Sequence, residues 1–150
     1  MSYPKDMART TVADTELSSS LRISVMRLAR RLRAERSSED LTLTQLSALS
    51  MLARHGPSTP TELAAHERVQ PPSMTRVIAA LEVKALVSRV AHPTDRRQVL
   101  VAATDRALAM LLEDRRRREA WLVARLALLS PQERAVLESA ATILDRLASS

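Results

Sequence analysis

The chain has 150 residues, 45% of them hydrophobic, with 23 Lys and Arg against 17 Asp and Glu and a formal net charge of +6. That length fits one domain, 1–150, with one core, and the basic excess favours a polyanionic partner. No uncharged apolar run approaches the ~18 residues of a membrane span, the lack of cysteine removes disulfides and thiolate chemistry, and Tyr3 and Trp121 are too few rings to stack single-stranded bases.

Residues 1–14 read as a polar tail without the apolar stretch of a secretory signal, which points to a cytoplasmic protein. A first helix is expected over 15–36, where Leu17, Leu21, Val25, Leu28 and Leu32 recur at steps of four and three. A second opens at Thr42, which forms a capping box with Gln45, carries Leu46, Leu49 and Leu52 on one stripe, and ends at Gly56 and Pro57. Thr59, Pro60 and Glu62 satisfy three helix-start preferences at once and predict a short helix over 60–66. Pro71 restarts a helix whose apolar side is Met74, Val77, Ile78 and Leu81. Valine-rich runs at 86–91 and 98–102, separated by His92, Pro93, Thr94 and Asp95, predict two antiparallel strands. Thr104 then caps a long helix to about 129, with Leu108, Leu111, Leu112, Leu122 and Leu126 expected to be buried. Ser130, Pro131 and Glu133 start a last helix through Val136, Leu137, Ala140, Leu144 and Leu147.

The order predicts a mainly α (α+β) fold: a winged helix-turn-helix lobe over 40–103, flanked by long helices over 15–36 and 104–148. Those helices hold more leucine than one small core needs, which predicts a homodimer. The helix led by Pro71 would enter a major groove, with its leading N–H groups favouring a phosphate. Ser73, Thr75 and Arg76 are its polar residues there, and Arg76 alone can reach guanine with two hydrogen bonds. Arg96 and Arg97, just past the hairpin tip, would reach the neighbouring minor groove. Asp95 would order that tip by pairing with Arg97 or Arg89.

Other clusters read as structural. The run 115–118 is four arginines in mid-helix with Glu113, Asp114 and Glu119 beside it, the pattern of a solvated face with local ion pairs. Met26, Met51, Met74 and Met110 read as core filler. His55, His66 and His92 are dispersed and lack metal-ligand spacing. No phosphate-cradling loop, nucleophile or acid–base pair supports catalysis, and no cofactor is implied.

The stretch Pro93-Thr94-Asp95-Arg96-Arg97 with 98–104 behind it, together with Met74-Thr75-Arg76-Val77-Ile78, Leu81-Glu82 and Leu86-Val87, resembles the wing and recognition helix of MarR-type winged-helix regulators. The resemblance spans about 17–147. It implies a dimer built from the first, fifth and sixth helices and a pseudo-palindromic double-stranded DNA operator. It also implies release by a small aromatic or phenolic anion bound between the dimerisation helices and the DNA-binding lobe. Carried onto this chain, Ser73, Thr75 and Arg76 face DNA, Arg96 and Arg97 are wing contacts, and Asp95 orders them. The family's glycines after the recognition helix and early in the fifth helix are replaced by Ala85 and Ala107. A left-handed Ala85 would cost on the order of 1 kcal/mol relative to glycine, so a different turn is expected there. The competing reading is a winged-helix protein-interaction module without sequence-specific DNA binding.

Overall fold

The computed structural model describes residues 12–36 and 40–149. Of the tail expected over 1–14, residues 12–14 are helical, and the remainder lies outside the described residues. The elements run α1 (Val12–Ala34), α2 (Leu43–His55), α3 (Pro60–His66), α4 (Pro71–Val83), β1 (Val87–Ala91), β2 (Val99–Ala103), α5 (Asp105–Leu126) and α6 (Pro131–Ala148). They form two compact units, one from 36–120 and one from 121 onward with the chain up to 35.

In the 36–120 unit, three-residue signals set the helix starts. Thr42 accepts from the Gln45 N–H at 3.2 Å while the Gln45 side chain accepts from the Thr42 N–H at 3.0 Å. Thr59 and Glu62 repeat the exchange at 3.2 and 2.7 Å. Each box satisfies two N–H groups that a helix start leaves without intrahelical partners. Gly56 ends α2 at φ 85°, ψ −170°, a conformation essentially confined to glycine, and its N–H donates to Leu52 O.

The apolar sides of α2, α3 and α4 meet the two-stranded sheet. Leu49, Leu63, Met74, Ile78, Leu81, Leu86 and Val101 are fully buried, each such burial contributing roughly 1.5–3 kcal/mol. β1 and β2 pair antiparallel from Val87↔Ala103 to Ala91↔Val99. Ser58 adds one bridge on the other side of β2, exchanging hydrogen bonds with Val101 at 3.0 and 2.8 Å. The strand pair therefore also anchors the entry to α3.

One helix ends against expectation, and a second ends in the same way. Ala85 does adopt the left-handed conformation, φ 55°, with its N–H donating to Glu82 O and the Leu86 N–H to Leu81 O. The same pattern closes α3 at Arg68, φ 53°, through Ala65 O and Ala64 O. Both are Schellman ends on non-glycine residues, held because burial of Leu86 and the following structure outweigh a local cost of about 1 kcal/mol. Thr104 then joins the exit of α4 to the start of α5: its hydroxyl donates to Ala85 O at 2.8 Å and accepts from the Ala107 N–H at 3.2 Å.

Within α5 the buried residues are Ala107 and Asp114, whereas Leu108 and Leu112, expected inside, are 43% and 50% exposed. The i, i+4 pairs Arg115–Glu119 and Arg117–Glu113 form at 2.8 and 2.9 Å, as the charge pattern predicts. In the second unit neither α1 nor α6 contains a buried residue. Leu17 and Leu147 are 66% and 57% exposed, and Met26, expected as core filler, is 60% exposed. Leu17, Leu21, Val25, Met26, Leu144 and Leu147 line an open apolar depression of about 730 Å³. Trp121 has the guanidinium groups of Arg31 and Arg125 at 5.4 and 5.3 Å from its ring.

Candidate nucleic-acid interface

The candidate recognition helix α4 is fixed by one face and open on the other. Met74, Ile78 and Leu81 are buried, while Ser73, Thr75 and Arg76 are exposed. The turn before α4 is tied down as well. The Glu67 carboxylate accepts from Ser47 Oγ on α2 at 2.8 Å and lies 3.1 Å from His66 Nδ1.

The N-terminus of α4 differs from expectation in one respect. Pro71 and Pro72 have no N–H, and the next two amides, of Ser73 and Met74, both donate to Gln70 O at 2.9 and 3.1 Å. Two of the N–H groups that a helix start usually offers a phosphate are therefore absent and the next two are engaged, which shifts contact toward side chains. Thr75 Oγ donates to Pro71 O at 3.1 Å, which leaves its oxygen lone pairs and its methyl group for a partner. Arg76 is the one cation in this exposed set.

Of the two partners expected for Asp95, Arg97 is engaged through its backbone and Arg89 is not engaged. Asp95 Oδ1 accepts the Arg97 backbone N–H at 2.9 Å. Arg89, expected as a partner of Asp95, instead donates to Glu82 through Nε at 2.8 Å and Nη2 at 3.3 Å. That fork joins β1 to the last turn of α4, so Arg89 orders the hairpin relative to the helix rather than the tip itself. Asp95 is half-buried, whereas Arg96 and Arg97 are exposed. His92 also bears on the tip: its Nδ1 faces the N–H groups of Thr94 and Asp95 at 3.3 and 3.0 Å.

Glu62 and Glu133 are held below the usual glutamate range. For each the main cause is a backbone hydrogen bond at its capping box, to Thr59 and Ser130 respectively.

The profile of the MarR family matches residues 41–99, which includes α2 to the first residue of β2. An HTH-type transcriptional regulator of Mycobacterium tuberculosis is 48% identical over 132 residues, covering 88% of this chain and 92% of that protein. The chain belongs to the MarR family. A Mycobacterium leprae HTH-type regulator is 46% identical over the same shares of the two chains. The crystal structure of a putative transcriptional regulator from Pseudomonas aeruginosa superimposes with a TM-score of 0.81 at 36% identity, over 92% of this chain and 97% of that one.

The chain is thus a MarR-type, non-enzymatic DNA-binding transcriptional regulator with a winged helix-turn-helix fold. Among the described residues no helix is long and apolar enough to cross a membrane. Ser73, Thr75, Arg76, Arg96 and Arg97 all belong to the 36–120 unit, on α4 and the hairpin loop. Sequence reasoning missed the Glu82–Arg89 fork and the His92 acceptor. The seven-residue separation of Glu82 and Arg89 across a helix end was the only available signal for the first.

Proposed function

We propose that the protein is a homodimeric repressor that reads a pseudo-palindromic operator with α4 and the hairpin wing and is released by a small aromatic or phenolic anion. The observation carrying this reading is the exposure of Ser73, Thr75 and Arg76 on a helix whose opposite face is buried, within the same compact unit as exposed Arg96 and Arg97. Arg76 reads a base edge, a contact worth roughly 1–3 kcal/mol of discrimination. Arg96 and Arg97 supply cationic contacts to the flanking minor groove, which add affinity with less regard to sequence. The uncovered apolar faces of α1 and α6 support pairing with a second copy. An effector that favours a lobe spacing incompatible with half-sites about 34–36 Å apart weakens operator binding by the factor that operator weakens effector binding.

The test begins with duplexes selected from a random pool by the purified protein. Arg76→Ala is expected to lose affinity for the selected duplex and little for random duplex. Arg96→Ala is expected to weaken both and to flatten the salt dependence. Equal losses for Arg76→Ala on the two duplexes would remove it as a base reader, and no enrichment of any sequence would favour a protein-interaction module.

A further inference from the structure

We infer that His92 is a positioning residue for DNA binding: its uncharged imidazole holds the hairpin turn that presents Arg96 and Arg97, and protonation of the ring releases that turn. The inference rests on the reading of this hairpin as a DNA-contacting wing.

His92 is half-buried at the end of β1, and Nδ1 is approached by the backbone N–H of Asp95 at 3.0 Å and that of Thr94 at 3.3 Å. The Thr94 hydroxyl lies 3.4 Å from the same atom. A backbone amide can only donate, so Nδ1 must present its lone pair and the ring proton must reside on Nε2. The tautomer follows from the amides. In imidazolium both nitrogens carry hydrogens, and Nδ1 would then oppose two N–H groups instead of accepting from them.

The turn has few other ties. Asp95 Oδ1 accepts the Arg97 N–H and Asp95 O accepts the Gln98 N–H at 3.1 Å, both of which depend on where Asp95 itself is held. The chain order is thus a relay: His92 fixes the amides of 94 and 95, Asp95 fixes those of 97 and 98, and the two arginines project from the fixed segment. Without the first acceptor, the arginines must be ordered at the moment of binding, an entropic cost subtracted from affinity.

Glu62 on α3 interacts electrostatically with the imidazole, and Asp95, Arg96 and Arg97 lie in the same loop. A cationic ring would be attracted to DNA phosphate. Charge alone therefore predicts that acid strengthens the wing's attraction for DNA, whereas the hydrogen-bond geometry predicts that acid disorders it. The sign separates an ordering role from a simple electrostatic one.

The experiment uses the full chain and a mixed-sequence duplex of about 30 base pairs, long enough for two half-sites. At neutral pH, H92A is expected to bind about 3- to 10-fold more weakly, the loss of two modest hydrogen bonds that order the tip. H92N, whose amide oxygen is an acceptor at any pH, is expected to restore most of that loss. R96A in the same assay tests the wing reading by itself. Nitrogen-15 relaxation on the free protein supplies the second readout. Residues 94–97 are expected to be rigid near pH ~7.5 and mobile near pH ~5 in the wild type, rigid at both in H92N and mobile at both in H92A. If R96A binds like the wild type, the wing reading fails while the relaxation data still judge His92. Weakened R96A with unchanged H92A, or wild-type order that persists in acid, would overturn the inference.

Discussion

Ala85 shows what a single residue can conceal. The sequence favours a helix end without the left-handed region, because a Cβ there is costly. The folded chain accepts that cost, since Leu86 must turn into the core and the Ala85 carbonyl must accept from the Thr104 hydroxyl. Ala85→Gly is therefore expected to stabilise the protein by about 0.5–1 kcal/mol, glycine's greater freedom in the unfolded chain offsetting part of the relief. Denaturant midpoints at an unchanged slope check this, and a lower midpoint would mean that the alanine methyl makes a useful contact. The capping glutamates make a second prediction with a definite sign. The pKa values of Glu62 and Glu133 are lowered on folding by their hydrogen bonds at the caps. Their contribution is thus present above the unfolded-state glutamate pKa and lost as pH falls through the lower folded one. A Glu62→Gln, Glu133→Gln double variant should lose less stability than the wild type between about pH 5 and pH 3. Parallel acid profiles for the two proteins would contradict it.

At the scale of elements, helix starts were the most legible part of the sequence. Thr42, Thr59 and Ser130 each signal a cap within four residues, and all three boxes form. The links between elements were not legible, because Glu82 and Arg89 are on different elements and Asp95 offered Arg89 a nearer partner in sequence. The fork they form is partly exposed, at 31% and 46% for the two side chains. Its contribution to stability is expected to be under about 1 kcal/mol. Its consequence is expected in DNA affinity, since it ties β1 to the last turn of α4. Glu82→Arg alone should weaken duplex binding, and the swap Glu82→Arg with Arg89→Glu should recover it. A swap that binds no better than the single variant would show that Arg89 acts by direct contact and not through Glu82. His92 was missed for a related reason: a histidine in a turn is inspected as a ligand or a charge, and its role as a lone-pair acceptor emerges only when neighbouring amides are placed.

For the whole molecule, periodicity located the apolar stripes of α1 and α6 but could not say what covers them. Leu21, Val25, Leu137, Leu144 and Leu147 are exposed in the single chain, though the steps of three and four in sequence mark them as a buried face. Both facts agree if a second copy supplies the cover. Leu21→Asp and Leu144→Asp are accordingly expected to shift sedimentation from dimer to monomer mass and to lower operator affinity by halving the contacts. Dimers that persist in both variants would place the interface elsewhere. The candidate DNA-reading residues were legible as residues, yet the source of phosphate contact was not. Pro71 marks the start of α4, but with Pro72 it also removes two of the N–H groups that such a start normally offers.

Engagement of one duplex by α4 and the hairpin loops of two copies is tested most directly by hydroxyl-radical footprinting on a selected operator. Such engagement predicts two protected segments related by two-fold symmetry, centred about 34–36 Å apart, with flanking protection that disappears in Arg96→Ala. A single protected segment, or protection unchanged by Arg76→Ala and Arg96→Ala together, would contradict it.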